Sequence, residues 1–240
     1  MARSPENYLV FPLDLSSLDQ AMAYVRALKD RVGLFKIGLE LFAAAGPSAV
    51  QAVHDIAGPK VFLDLKLHDI PETIRRAFLA ASIHGPKFIT VHCDQGEGIL
   101  KEVAQKNPGG TKLLGITLLT SLGPEQLRRL GYSEDLIRDL PALVVSRARL
   151  AMEAGCHGVV CSGREVAGVK QALGREMISV TPGIRPSWSL VKGDDQKRMV
   201  TPAEAVRSGA DYIVVGRPIR DASDPAGAAS KVAEEISTVL

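Results

Sequence analysis

The 240-residue sequence predicts a (β/α)₈ barrel in a single domain, residues 1–240, and three observations carry that reading. Short β-type runs alternate with helical stretches eight times, which leaves about 30 residues per unit, the size of a βαβ step. Runs such as Ile213-Val214-Val215 are aliphatic throughout, as expected of parallel strands buried on both faces. Acids and bases enter these runs at their C-terminal ends, where barrels of this class gather their functional groups. An open doubly wound sheet is the alternative architecture.

The elements follow in order. Tyr8 to Leu15 reads as the first strand, with Leu9, Phe11, Leu13 and Leu15 on one face and Val10, Pro12 and Asp14 on the other. Ser16-Ser17-Leu18-Asp19 starts a helix, and Ala21, Val25 and Leu28 recur at helical spacing. Leu34 to Gly38 is the second strand, and the helix from Leu39 to about Ile56 is interrupted near Gly46-Pro47. Val61 to Leu67 is the third strand, and Pro71 opens the next helix. Phe88 to Cys93, Lys112 to Leu119, Gly158 to Ser162, Met177 to Pro182 and Tyr212 to Val215 complete the set of strands. Helices are expected at about Gly98 to Gln105, over a longer region ending at Ala154, at Glu165 to Leu173 and at Pro225 to Val239.

Composition excludes several classes of function. A net charge of +2 with 23% charged residues offers no nucleic-acid footprint and no acidic tail, so an anionic ligand must be met by local charges. Cys93, Cys156 and Cys161 are too few and too odd in number for a disulfide framework and fit a reducing cytoplasm. Cys156-His157 and Cys161 lack a second pair to complete a metal site, so reduced thiols are the expectation. No run reaches the ~18 consecutive apolar residues of a membrane span, and the expectation is a soluble, unexported protein.

The third strand is the one on which the chain turns. Alternation places Val61, Leu63, Leu65 and Leu67 on one face and Phe62, Asp64 and Lys66 on the other. An acid and a base on an otherwise oily strand form either a structural ion pair or a catalytic pair. Asp14, Lys36, Asp64 and Lys66 fall at the ends of three neighbouring strands, so four alternating charges converge on one mouth, which a structural pair explains less well. Thr90, His92 and Asp94 mark the end of the fourth strand, where His92 reads as a satisfied core histidine. Asp69 has the opposite parity to Asp64 and Lys66 and need not face the same cavity. Asp69 and Glu72 also have the spacing of a capping box before Pro71.

The second half supplies different chemistry. Thr181-Pro182-Gly183-Ile184-Arg185-Pro186 ends the seventh strand, and residues 184–200 show no periodicity, which suggests a lid over a ligand or an ordinary loop. The eighth strand runs into Gly216-Arg217-Pro218, where these barrels often bind phosphate. Gly216 admits a close backbone approach, and Arg217 offers a bidentate cation.

Asp64-Leu65-Lys66-Leu67-His68-Asp69 resembles the D-x-K-x-x-D signature of the orotidine 5′-phosphate decarboxylase family. The similarity continues through Leu13-Asp14, Phe35-Lys36-Ile37-Gly38, Leu119-Thr120-Ser121, Thr181-Pro182-Gly183-Ile184-Arg185, Gly193-Asp194-Asp195-Gln196-Lys197-Arg198 and Val215-Gly216-Arg217-Pro218. It implies decarboxylation of orotidine 5′-monophosphate to UMP and CO₂, with Lys66 protonating the carbanion left at C6. Lys36, Asp64 and Lys66 would surround the reacting carbon, joined by Asp69 from a second subunit of a homodimer. Asp14 and Lys36 would hold the ribose hydroxyls, with Thr73 reaching in from the partner chain. Ser121 and the backbone near Pro182 would read the pyrimidine edge, and Gln196, Gly216 and Arg217 would grip the phosphate. Arg185 is the remaining residue expected to bind substrate. No metal or other cofactor is implied. Two alternatives are a Mg²⁺-dependent sugar-phosphate decarboxylase or hexulose-phosphate synthase of the same barrel group, and a catalytically idle barrel that binds a phosphate ligand.

Overall fold

The structure, a computed structural model, describes residues 3–189 and 199–240. Eight parallel strands close into a barrel in sequential order: β1 (Leu9–Pro12), β2 (Leu34–Ile37), β3 (Val61–Leu67), β4 (Phe88–His92), β5 (Lys112–Ile116), β6 (Gly158–Val160), β7 (Ile178–Thr181) and β8 (Tyr212–Val214). The helices between them are α1 (Leu18–Leu28), α2 (Leu39–Ala45), α3 (Ser48–Ala57), α4 (Pro71–Ser82), α5 (Glu97–Lys106), α6 (Pro124–Arg129), α7 (Glu134–Arg138), α8 (Leu140–Glu153), α9 (Val166–Leu173), α10 (Pro202–Arg207), α11 (Arg217–Arg220) and α12 (Pro225–Ser237).

Period-two alternation sorts the strand residues into two cores. Val10, Leu34, Phe62, Phe88, Leu114, Val180 and Val214 point inward and fill the barrel. Leu9, Phe11, Phe35, Ile37, Val61, Leu63, Ile89 and Val91 point outward and pack beneath the helices. The inward layer forms a floor in which Phe62 meets Phe88 edge to face at 5.7 Å. Below it the N-terminal end is closed by Arg3, whose guanidinium lies over the rings of Tyr8 and Tyr212. Side chains one step above the floor therefore face the C-terminal mouth.

The observed elements depart from the expected ones in three informative places. The helical region ending at Ala154 is three helices: Gly131, at φ 85°, ends the α6 turn, and Asp139 caps α8 by accepting from the Ala142 N–H at 3.0 Å. Helix α10 was not expected, yet its start is a capping box in which Thr201 and Glu204 bond reciprocally. On β3 the alternation breaks: Leu63 pairs with Ile89 and Leu67 with Val91, so β3 spends four residues where β4 spends two. That bulge falls on Asp64, Leu65 and Lys66.

Candidate active site

The mouth opens into a cavity of about 490 Å³ floored by Phe62. Asp14, Lys36, Asp64 and Lys66 line its first-half wall. They form one continuous chain of alternating charge: Lys36 Nζ lies 3.0 Å from Asp14 Oδ1 and 3.6 Å from Asp64 Oδ2, and Lys66 Nζ lies 2.6 Å from the same Asp64 oxygen. Gly38 makes room for it, since a Cβ there would sit 3.0 Å from Lys36 Nζ and 3.1 Å from Asp14 Oδ1. Asp64 is the buried hub, with 9% of its side chain exposed, whereas Lys66 shows 31% to the cavity side. Burial opposes ionisation of Asp64, but Lys36, Lys66 and hydrogen bonds from Lys66 and Thr90 outweigh it and hold the carboxyl below its ordinary range.

The bulge sets the geometry of Lys66. Its φ of 50° makes it the one non-glycine residue in the left-handed region among the described residues. That conformation costs about 1–3 kcal/mol and persists only where the surroundings impose it. The Lys66 N–H donates to Thr90 Oγ1 at 2.8 Å, and the Thr90 hydroxyl in turn donates to Asp64 Oδ1 at 2.9 Å. Bulges often re-aim a side chain beside an active site.

The second-half wall differs. Ile116, Leu118, Val160, Val180 and Val214 make it apolar, and Pro182, Gly183, Arg185, Gly216, Arg217 and Arg220 ring its upper part. Arg185 is buried and donates to the Ile184 carbonyl at 3.0 Å. The ends of the 184–200 segment are joined by a bridge between Ile184 and Val200, with the Arg185 N–H donating to the Val200 carbonyl at 3.0 Å. Gly216 has a packing reason beyond approach to an anion, because a Cβ would come within 3.0 Å of Pro12 Cγ.

Not every expected residue lies in the cavity wall. Asp69 and Thr73 are exposed beyond the rim, and between them Ile70 is 66% exposed. The capping box expected of Asp69 and Glu72 does not form. Ile70, one position later, is the N-cap of α4, so Glu72 falls short of N3 and binds Arg75 and Arg76 instead. Among the described residues Asp69 Oδ1 accepts only from its neighbour, the Ile70 N–H, at 2.6 Å. Ser121 is exposed, while Leu119 and Thr120 line the cavity beside it. Gln196 lies outside the described residues, as do Gly193, Asp194, Asp195, Lys197 and Arg198. His92 is mostly buried against Asp94 and the His68 ring, and burial keeps it below the ordinary imidazole range. Cys93, Cys156 and Cys161 are buried thiols.

Two residues matter here that sequence reasoning passed over. Thr90 was noted only as a strand end, though its parity with Phe88 places it inside the barrel, beside Asp64 on the neighbouring strand. Gln95 carried no signal at all, yet it accepts from the Asp69 N–H at 2.9 Å and donates to the Leu67 and His92 carbonyls at 3.0 and 3.2 Å.

A closed parallel barrel with two acids and two bases interleaved at its mouth, and arginines on the facing wall, defines a (β/α)₈ protein built to act on a small anionic ligand. The family model described as "Orotidine 5'-phosphate decarboxylase / HUMPS family" matches residues 7–232. The orotidine 5'-phosphate decarboxylase of Desulfosudis oleivorans is 45% identical over 240 residues, covering 100% of this chain and 96% of that protein. The protein of the same name from an Anaeromyxobacter species is 47% identical over 229 residues, covering 95% and 98%. The crystal structure of orotidine 5'-phosphate decarboxylase from Lactobacillus acidophilus superposes with a TM-score of 0.81 at 33% identity, covering 95% of this chain and 98% of that one. The chain belongs to the orotidine 5'-phosphate decarboxylase family.

Proposed function

We infer that this chain decarboxylates orotidine 5′-monophosphate to UMP and CO₂. The observation that carries the reading is the unbroken series Asp14–Lys36–Asp64–Lys66 on one wall of a cavity whose opposite wall is apolar below and cationic above. A pyrimidine nucleotide has matching parts: a reacting ring carbon and ribose for the charged wall, a flat base for the apolar one, and a phosphate for Arg217. Asp14 and Lys36 would hold the ribose hydroxyls, Ser121 and the backbone near Pro182 the base edge, and Arg185, Gln196, Gly216 and Arg217 the remaining polar contacts, phosphate included.

Loss of CO₂ leaves an electron pair on C6 in the plane of the ring, where no ordinary sink receives it. The Lys66 ammonium would lie beside that developing charge, stabilise it, and deliver a proton to the same carbon, after which solvent reprotonates the amine. Asp64 keeps the ammonium in place and would crowd the departing carboxylate. Two unit charges ~4 Å apart interact by only about 4 kcal/mol at an effective dielectric near 20, against the ~23 kcal/mol of the largest enzymatic accelerations. Repulsion is therefore a minor part. The larger share would come from phosphate binding, with segment 184–200 closing as a lid and excluding water from the array.

Asp69 and Thr73 would complete a second copy's site across a homodimer interface. Their exposure beside the exposed Ile70 gives that rim the mixed character of a contact surface. A fully active monomer in analytical ultracentrifugation would refute this. Buried thiols fit a cytoplasmic protein, and among the described residues no helix is long and apolar enough to cross a membrane.

The test is loss of the orotate ultraviolet chromophore on addition of the purified chain. No absorbance change would reject the reading. Mg²⁺-dependent barrels of this group want an acidic ligand near the end of the second strand, where this chain has Lys36. Full activity in chelator is accordingly expected, and loss restored by Mg²⁺ would favour those relatives.

A further inference from the structure

We propose that Thr90 is a positioning residue for the decarboxylation, its hydroxyl locking the Lys66 backbone to the Asp64 carboxylate. The proposal rests on Lys66 and Asp64 having the roles given above. Thr90 is fully buried at the inner face of β4. Among the described residues its neighbours on β3 are the one stretch of the barrel where strand pairing slips, from Leu63↔Ile89 to Leu67↔Val91. The slip strips the part-buried Lys66 N–H of a ladder partner, and a donor left unpaired there would be costly. Thr90 Oγ1 accepts from that N–H at 2.8 Å, and its hydroxyl donates to Asp64 Oδ1 at 2.9 Å.

One hydroxyl thereby fixes two things. It holds Lys66 at φ 50°, the conformation that turns its side chain to the cavity. It also anchors one oxygen of Asp64, leaving Oδ2 for Lys66 Nζ at 2.6 Å and Lys36 Nζ at 3.6 Å. The hydroxyl must donate and accept at once, so valine, of the same shape, cannot replace it, whereas serine can. Thr90 itself is absent from the cavity wall, so it acts through its two neighbours rather than on substrate.

Thr90→Val and Thr90→Ser would be compared with the parent in steady-state kinetics, thermal unfolding and crystal structures. Misplacing a reacting group by about 1 Å costs on the order of 10²-fold, so Thr90→Val is expected to lose about that in kcat with KM within about threefold, and Thr90→Ser to recover most of it. If the valine variant fails to fold, Thr90→Ala against Thr90→Ser makes the same comparison. Unchanged kcat in the hydroxyl-free variant, or equal losses with serine and valine, would overturn the proposal. Parent protein that leaves the orotate chromophore intact rejects the decarboxylase reading instead. In that case the structures still decide: Lys66 leaving the left-handed region in Thr90→Val supports the positioning role, and Lys66 unmoved overturns it.

Discussion

Two lysine–aspartate pairs close to the same 2.6 Å at opposite ends of this barrel. At the N-terminal end, Lys170 Nζ donates to Asp211 Oδ2 and also to the Met177 and Arg175 carbonyls, at 2.6 and 3.1 Å, so all three of its protons are engaged. The same Asp211 oxygen accepts from the Ser179 N–H and hydroxyl, at 2.8 and 3.2 Å. At the mouth, Lys66 Nζ has Asp64 as its single hydrogen-bond partner among the described residues, and its backbone is strained. The lower pair ties α9 to the starts of β7 and β8. The upper pair keeps donors in reserve and faces a cavity. Distance alone does not separate the two pairs; the unused protons and the strained backbone of the mouth pair do, and they are what favours the reactive role proposed for it.

Replacing the two lysines should break the symmetry most sharply. Lys66→Ala removes the proposed acid and its charge, and a loss of about 10⁴-fold or more in kcat is expected, with UMP still bound in titration calorimetry. Lys170→Met should leave kcat nearly unchanged and cost about 2–3 kcal/mol in denaturant unfolding, since Asp211 is partly exposed and its lost partner is only partly missed. Turnover retained by Lys66→Ala would make the mouth pair structural after all.

The next largest effect concerns the facing wall. Arg217→Ala should lower kcat/KM for orotidine monophosphate by about 10²-fold, the worth of a charged hydrogen bond or slightly more, and should hardly affect the phosphate-free nucleoside. Equal losses on both substrates would remove phosphate binding from the account of the rate. A smaller effect is expected at Gln95, two of whose hydrogen bonds brace Leu67 and Asp69, just after Lys66, while the third ties them to the His92 carbonyl. Gln95→Leu should lower kcat by about tenfold while leaving a Thr90-like change in Lys66 φ unseen by crystallography.

What could be read in advance follows from period two. Val61–Leu67 was bounded correctly because its sequence alternates from end to end, although the bulge breaks that alternation in the fold, and Asp14, Lys36, Asp64 and Lys66 were placed at one mouth by parity and strand order alone. Asp69 was rightly set apart by its odd position. The left-handed Lys66 was invisible because it arises from pairing with β4, a tertiary event that no local pattern encodes. Gln95 was invisible for the same reason: its partners lie on the β3–α4 connection, 26 to 28 residues away. Helix α10 was legible in Thr201-Pro202-Ala203-Glu204 and was overlooked beside the aperiodic segment before it.

The smallest effect is one of pH. Asp64 is held below the ordinary carboxylate range in the fold, because Lys36, Lys66 and the hydrogen bonds from Lys66 and Thr90 outweigh its burial. A carboxyl whose folded pKa lies below its unfolded value of about 3.9 stabilises the protein fully above that value, and the contribution disappears as pH falls through the folded pKa. The Tm gap between the parent and Asp64→Asn should therefore stay constant from pH 7 to about 5 and narrow only below about pH 4. A change of ~1 kcal/mol corresponds to about 2–4 °C in a chain of this size, so differential scanning calorimetry can follow it. A gap that already narrows between pH 7 and 5 would mean that Asp64 titrates there, and that the lysines on either side do not dominate its charge. The mouth pair would then lose its fixed carboxylate in the range where the enzyme works, and Lys66 would lose the anion that holds it in place.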